Sequence, residues 1–173
     1  SIVVQNVLNK KIEKRIDLKT VDEPESPSFS PDGKSLAFSA MQNGWADIFT
    51  VDLATEVVTN ITKDEIADYA PAYSPDGRTL VYSARAGSND KLFSLDLATG
   101  QKKQVSFGAH DDTGPKFYDD HTVVFSSTAV DPKISLPAEV ERNGNIPNVW
   151  TLDLRNGELR QWTDTATGNV SPV

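Results

Sequence analysis

The sequence predicts an all-β fold of radially arranged four-stranded sheets, a partial β-propeller of about three and a half blades. Three observations predict it. One stretch is written twice, FSPDGKSLAFSA at 29–40 and YSPDGRTLVYSA at 73–84, a step of 44 residues. Each copy divides into short runs rich in Val, Ile, Thr and aromatics, punctuated by turn residues. No segment carries a helical apolar stripe. Repeats of about 40 residues belong to arrays, solenoids or propellers, and four antiparallel strands in that length fit a blade. An ordinary β-sandwich is the rival fold, but it needs no repeat at one fixed period.

Each repeat reads as four strands. Strand one is PSF or PAY, and the turn Ser-Pro-Asp-Gly follows. There Pro presets the first central φ, Asp caps local amides and Gly accepts a positive φ. Strand two is SLAFSA, TLVYSA or TVVFSS, and strand three is IFTVDLA, LFSLDLA or VWTLDLR. A second turn, ATG or RNG, leads into strand four: VVTNIT, KKQVS or LRQWT. Blades bury both faces, so their strands need not alternate cleanly between apolar and polar.

The repeat units are expected at 27–70, 71–114 and 115–170, the last with an insertion at 129–147. Residues 1–26 read as the second half of a blade, with Asn6 where the later copies have Asp52, Asp96 and Asp153. Residues 171–173 read as the start of a further blade. Such a chain leaves open sheet edges and an uncovered blade face. It is therefore expected to be a fragment of a larger propeller, completed by the rest of a parent chain or by self-association through its edges.

Composition narrows the function classes. The net charge is −8, which disfavours nucleic acid and anionic membrane surfaces. There is no cysteine, which excludes disulfides, thiolate metal sites and cysteine nucleophiles. No apolar run approaches the roughly 20 residues of a membrane helix, so no membrane insertion is expected.

The run Pro, aromatic, Ser-Pro-Asp-Gly, two residues and a hydrophobic–aromatic strand ending in Ser resembles the TolB-like, WD-like propeller repeat, along nearly the whole chain. No Trp-Asp pair ends strand three, so it is not the WD repeat proper. The resemblance implies a bacterial, periplasmic or otherwise extracytoplasmic protein that binds partner proteins. It equally implies, as an alternative, the gating propeller of a prolyl-oligopeptidase-like or tricorn-like peptidase whose catalytic domain lies elsewhere.

In a propeller the strand one–two and three–four turns share one face. The strand four–one and two–three loops share the other. Here the first set is short and uniform and the second is varied. The four strand four–one loops, at 19–27, 62–71, 106–115 and 163–171, carry seven of the eight net negative charges. An acidic rim of this kind favours a protein or peptide partner of basic character, or a cation. The candidate binding residues are Asp64, Glu65, Asp68, Tyr69, His110, Asp111 and Asp112, with Trp45 as an aromatic anchor. Equally, Asp and Glu in turns cap amides and keep loops solvated.

Asp68 and Asp112 each precede a repeat proline by three residues, which places them near the channel mouth. Paired carboxylates with carbonyls there could hold calcium, but their spacing lacks the density of a calcium loop, so no metal ligand and no cofactor are assigned. There is no Gly-x-Ser-x-Gly elbow and no His-Glu-x-x-His, so no catalytic residue is assigned and a non-catalytic segment is expected. Trp150 and Trp162 fall on strands and are expected in the core.

Overall fold

The computed structural model describes residues 1–129 and 146–164. A two-stranded hairpin, β1 (Ile2–Gln5) and β2 (Ile12–Ile16), comes first. Three four-stranded antiparallel sheets follow, each a simple meander. The first comprises β3 (Asp22–Phe29), β4 (Ser35–Gln42), β5 (Trp45–Asp52) and β6 (Val58–Asn60). The second comprises β7 (Asp68–Tyr73), β8 (Thr79–Ala86), β9 (Asn89–Asp96) and β10 (Lys102–Gln104). The third comprises β11 (Asp112–Phe117), β12 (Thr122–Ser127), β13 (Asn148–Asp153) and β14 (Leu159–Gln161). The strand β7 touches β3, β4 and β5 of the sheet before it and β11 of the sheet after it. The first strands thus stand side by side, which is the radial arrangement of a propeller.

Packing follows the two-residue period of a strand. Along β4, Leu36, Phe38 and Ala40 pack toward the hairpin, while Ala37 packs with Ile48 toward the second sheet. Along β8, Leu80, Tyr82 and Ala84 complete that second layer, while Val81 joins Leu92, Val123, Phe125 and Trp150 between the second and third sheets. Each central strand therefore feeds two cores, which is why its sequence is nearly continuously apolar. On the far side of the third sheet Val124 and Val149 are only half-buried, whereas Val81 and Leu92, at the same repeat positions, are fully buried.

The two Ser-Pro-Asp-Gly turns are built alike. Ser30 Oγ donates to Asp32 Oδ1 at 2.7 Å and accepts Ser35 N at 2.9 Å, and Gly33 N reaches Ser30 O at 2.9 Å. Ser74, Asp76, Gly77 and Thr79 repeat these bonds at 2.6, 3.0 and 2.9 Å. The serine hydroxyls hold the Asp32 and Asp76 carboxyls below the ordinary carboxylate value. In the third sheet Asp119 substitutes, accepting His121 N at 2.9 Å and Thr122 N at 2.7 Å. At the other turn Asp52 and Asp96 each cap two amides and a threonine hydroxyl. Asn6 caps Leu8 N and Asn9 N in the hairpin in the same manner.

Two sequence expectations change here. The first strands begin earlier, at Asp22, Asp68 and Asp112, because a bulge before Pro27, Pro71 and Pro115 lets pairing continue past the proline. The residues before those prolines, Ser26, Ala70 and Gly114, all have positive φ, at 51°, 54° and 64°. Trp162 is exposed rather than core: Arg160 lies 4.2 Å from its ring centroid and its Nε1 donates to Thr151 Oγ1 at 3.0 Å. Trp150 is buried as expected. Most of the insertion read at 129–147, and the further blade read at 171–173, lie outside the described residues.

Gly77 tests the turn. Its φ is +73°, and an added Cβ would lie 3.4 Å from Pro31 Cδ of the neighbouring turn. Gly77→Val is expected to cost about 1–3 kcal/mol for the positive φ alone. Gly33→Val, at φ +69° with open space around it, should cost less. Urea unfolding of both variants checks the order.

Candidate functional site

The loops after β6 and β10, with the β4–β5 and β8–β9 turns, form one end of the molecule. Gln42 Nε2 donates to Thr20 O at 3.0 Å, fastening a two–three turn to the loop before β3. Trp45 and Glu65 are exposed here, and Asp64 is about one-third exposed. Together with Gln42, Asn43, Asn60 and Lys63 they line an open depression of about 210 Å³, at whose floor lies Asp47. Ile66, 41% exposed, adds apolar surface in the same loop as Glu65, whereas Phe107, 65% exposed, lines a separate depression with the β13–β14 turn. Asp22, Glu23 and Glu25 are exposed on β3, whose Asp22 pairs with Met41 beside the Trp45 turn.

The other candidates lie deeper. Asp68 and Asp112, expected on the loop face, are 2% and 1% exposed. The bulged strands carry them under the loops and into the joints between successive sheets. Asp112 is met by Lys91 Nζ at 2.9 Å and Ser106 Oγ at 2.7 Å, both on its Oδ2. Burial pushes the Asp112 carboxyl up, but His110, Ser127, Lys91 and Ser106 outweigh it and hold it below the ordinary value. His110 Nε2 lies 3.5 Å from the same oxygen. Asp111 caps a turn, its Oδ1 accepting Asp90 N at 3.0 Å and Asn89 Nδ2 at 3.1 Å. Tyr69 is half-buried, and burial followed by its hydrogen bond to Asp90 raises its phenol.

At the preceding joint the chemistry is reversed. Asp47 on β5 occupies the repeat position of Lys91, 44 residues earlier. Thr62 Oγ1 donates to Asp47 Oδ1 at 3.2 Å, Asn60 Nδ2 to Asp47 Oδ2 at 2.8 Å, and Asp64 N to Asp47 Oδ1 at 3.3 Å. Lys102 Nζ bonds Thr62 O and forms an ion pair with Asp64. Asp68 Oδ2 is buried without a hydrogen-bond partner. Burial raises the Asp68 carboxyl to about 7; the Asp64 and Asp47 charges push the same way, against a Thr62 hydrogen bond and Lys102.

Sequence reasoning singled out the loop face but missed Asp47, Lys91 and Ile66. The signal for the first two was present: a charged residue opens strand three at one repeat position, as Asp in one copy and Lys in the next. Reading them required knowing that this position faces the following sheet.

Radial four-stranded sheets carrying this repeated turn define a β-propeller domain. The chain belongs to the TolB beta propeller domain family, whose model matches residues 1–134. Among solved structures it is similar to TolB from Acinetobacter baumannii, with a TM-score of 0.73, 23% identity, and coverage of 97% of this chain and 39% of that one. The Agrobacterium tumefaciens protein described as TolB gives a TM-score of 0.67 at 21% identity, covering 87% of this chain and 51% of its own. A puromycin-hydrolyzing peptidase from Mycobacterium tuberculosis gives a TM-score of 0.60 at 18% identity, covering 82% and 21%. The chain thus spans 39% and 51% of the two TolB structures. A comparison with curated proteins finds no match.

Two substitutions separate the joints. Lys91→Met leaves Asp112 buried without its ammonium and is expected to cost about 3–5 kcal/mol near pH 8. The loss should shrink as pH falls and Asp112 takes up a proton. Asp68→Asn should do the opposite. A carboxyl raised in the folded state lowers stability as pH rises through its unfolded value of 3.8 toward about 7. In EDTA-containing buffer the variant's advantage should open over that window, by roughly 1.4 kcal/mol for each pH unit crossed, and level off above it. Denaturant titrations across pH measure both.

Proposed function

We propose that this propeller segment is a non-catalytic binding module whose ligand is a basic protein or peptide segment with an apolar anchor. The observation that carries the reading is the end formed by the four–one loops and two–three turns, where exposed Glu65 lines a depression with exposed Trp45, Ile66 follows Glu65 in the same loop, and exposed Asp22 and Glu23 open the neighbouring strand β3. Acidic groups there supply long-range attraction for a cationic partner, and the aromatic supplies the contact that desolvates. Asp68 and Asp112 take no direct part, being buried. Membership of the TolB family supports an extracytoplasmic setting for such a module.

The test uses two synthetic peptides that share two tryptophans, one rich in lysine and arginine and the other with those residues replaced by glutamate. Fluorescence anisotropy should give tighter binding of the basic peptide, weakening as salt is raised. A combined Asp22→Lys, Glu23→Lys and Glu65→Lys variant should lose roughly tenfold in affinity at low salt, mostly in the association rate. Trp45→Ala should weaken binding at every salt concentration. Equal affinity for both peptides would refute the electrostatic reading.

A further inference from the structure

We infer that Asp47, Asp64 and Asp68 form a binding site for a hard divalent cation, calcium first among them, at the joint between the first and second sheets. Each residue offers a carboxylate oxygen, and these three oxygens lie within 4.8 Å of one another. Calcium binds oxygens at about 2.3–2.6 Å, so ligands on opposite sides of one ion stand about that far apart. All three donors are carboxylate oxygens, the chemistry that calcium, magnesium and manganese share.

The second observation is Asp68 itself. It is 2% exposed, and its Oδ2 has no hydrogen-bond partner. A buried carboxylate oxygen without a partner is costly, and a metal ion is one of the few groups that repays the cost.

The third observation is internal to the fold. At the next joint the equivalent carboxylate, Asp112, faces Lys91, and the ammonium lies 2.9 Å from it. Gly108 stands there in place of Asp64, and the His110 ring fills the space beside it, 2.5 Å from where a Cβ would lie. One joint therefore carries its own cation. The other replaces that cation with Asp47 and adds Asp64, and the Lys102 ammonium there pairs with Asp64. The position that Lys91 fills by covalent attachment is filled at the first joint by an ion from solution. Asp47 and Asp64 both line the open depression beside Trp45, which gives that ion a path from solvent.

The test uses the 173-residue chain stripped with EDTA. Terbium, which takes the same oxygen ligands as calcium, is added and excited through the tryptophans. Sensitised emission is expected from Trp45 beside the site, and calcium should displace it. Calcium should also raise the melting temperature in a saturable way. Asp47→Asn and Asp68→Asn should each weaken binding at least roughly tenfold. Asp32→Asn, in a distant turn, should leave binding unchanged. Asp47→Lys copies the neighbouring joint. It should melt higher than the parent in EDTA and no longer respond to calcium, which keeps the test decisive should Asp68→Asn fold poorly. No emission and no melting shift up to about 10 mM calcium, beyond the weakest extracellular modules, would overturn the assignment. So would a calcium response that survives Asp47→Asn.

Discussion

Each four-stranded sheet is closed at its fourth strand by one buried or half-buried hydroxyl, and the course of the loop that follows depends on it. Thr62, Ser106 and Thr163 each accept a backbone N–H from strand three of their own sheet, at Ile48, Leu92 and Val149, and each of the three bonds is 2.9 Å. Each hydroxyl then donates onward: Thr62 to Asp47, Ser106 to Asp112 and Thr163 to Asn148. A hydroxyl can accept and donate at once, which no apolar residue and no lysine can do. It ends strand pairing and ties the loop back to the head of strand three, and in the second sheet Ser106 also reaches Asp112 of the next.

Around that fastening the energetics divide cleanly. The apolar layers between sheets supply cohesion, through central strands that place alternate residues on opposite faces. They carry little information about which sheet follows which, since Leu36 and Leu80, or Phe38 and Tyr82, are close in shape. The polar joint does carry it. A buried Lys91–Asp112 pair gains little against an apolar alternative but penalises a wrong neighbour severely, because either charge left alone is expensive.

Much of the fold was legible because turn chemistry is local. Ser-Pro-Asp-Gly specifies its own hydrogen bonds within six residues, and its recurrence fixes the period before any tertiary contact is known. Even Asn6 could be matched to Asp52, since both cap amides two and three residues on. Trp45, expected in a loop, instead opens β5 and is exposed beside the β4–β5 turn. What failed was depth. Asp68 and Asp112 read as loop carboxylates because a proline follows three residues later and proline ordinarily ends pairing. The bulge around Ala70 and Gly114 lets the strand survive it, and two acidic residues pass from rim to interior. Trp162 failed in the other direction: it lies just beyond a three-residue edge strand, where Arg160 lies over its ring and leaves it more than half exposed.

Repetition makes those interior exceptions informative. Where the repeats must do the same mechanical work, at the hydroxyl and the two turns, their residues agree or substitute like for like. At the head of strand three they do not: the three sheets place Asp47, Lys91 and Asn148 there, negative, positive and neutral, all buried. Drift at an exposed position would need no explanation. At a buried position each choice must be compensated by its surroundings, and Lys91 and Asn148 are, by Asp112 and by Thr163. Asp47 has its hydrogen bonds, but its charge meets Asp68, another buried acid. In a scaffold this regular, such a mismatch between like charges marks the joint whose balance is completed from outside the chain.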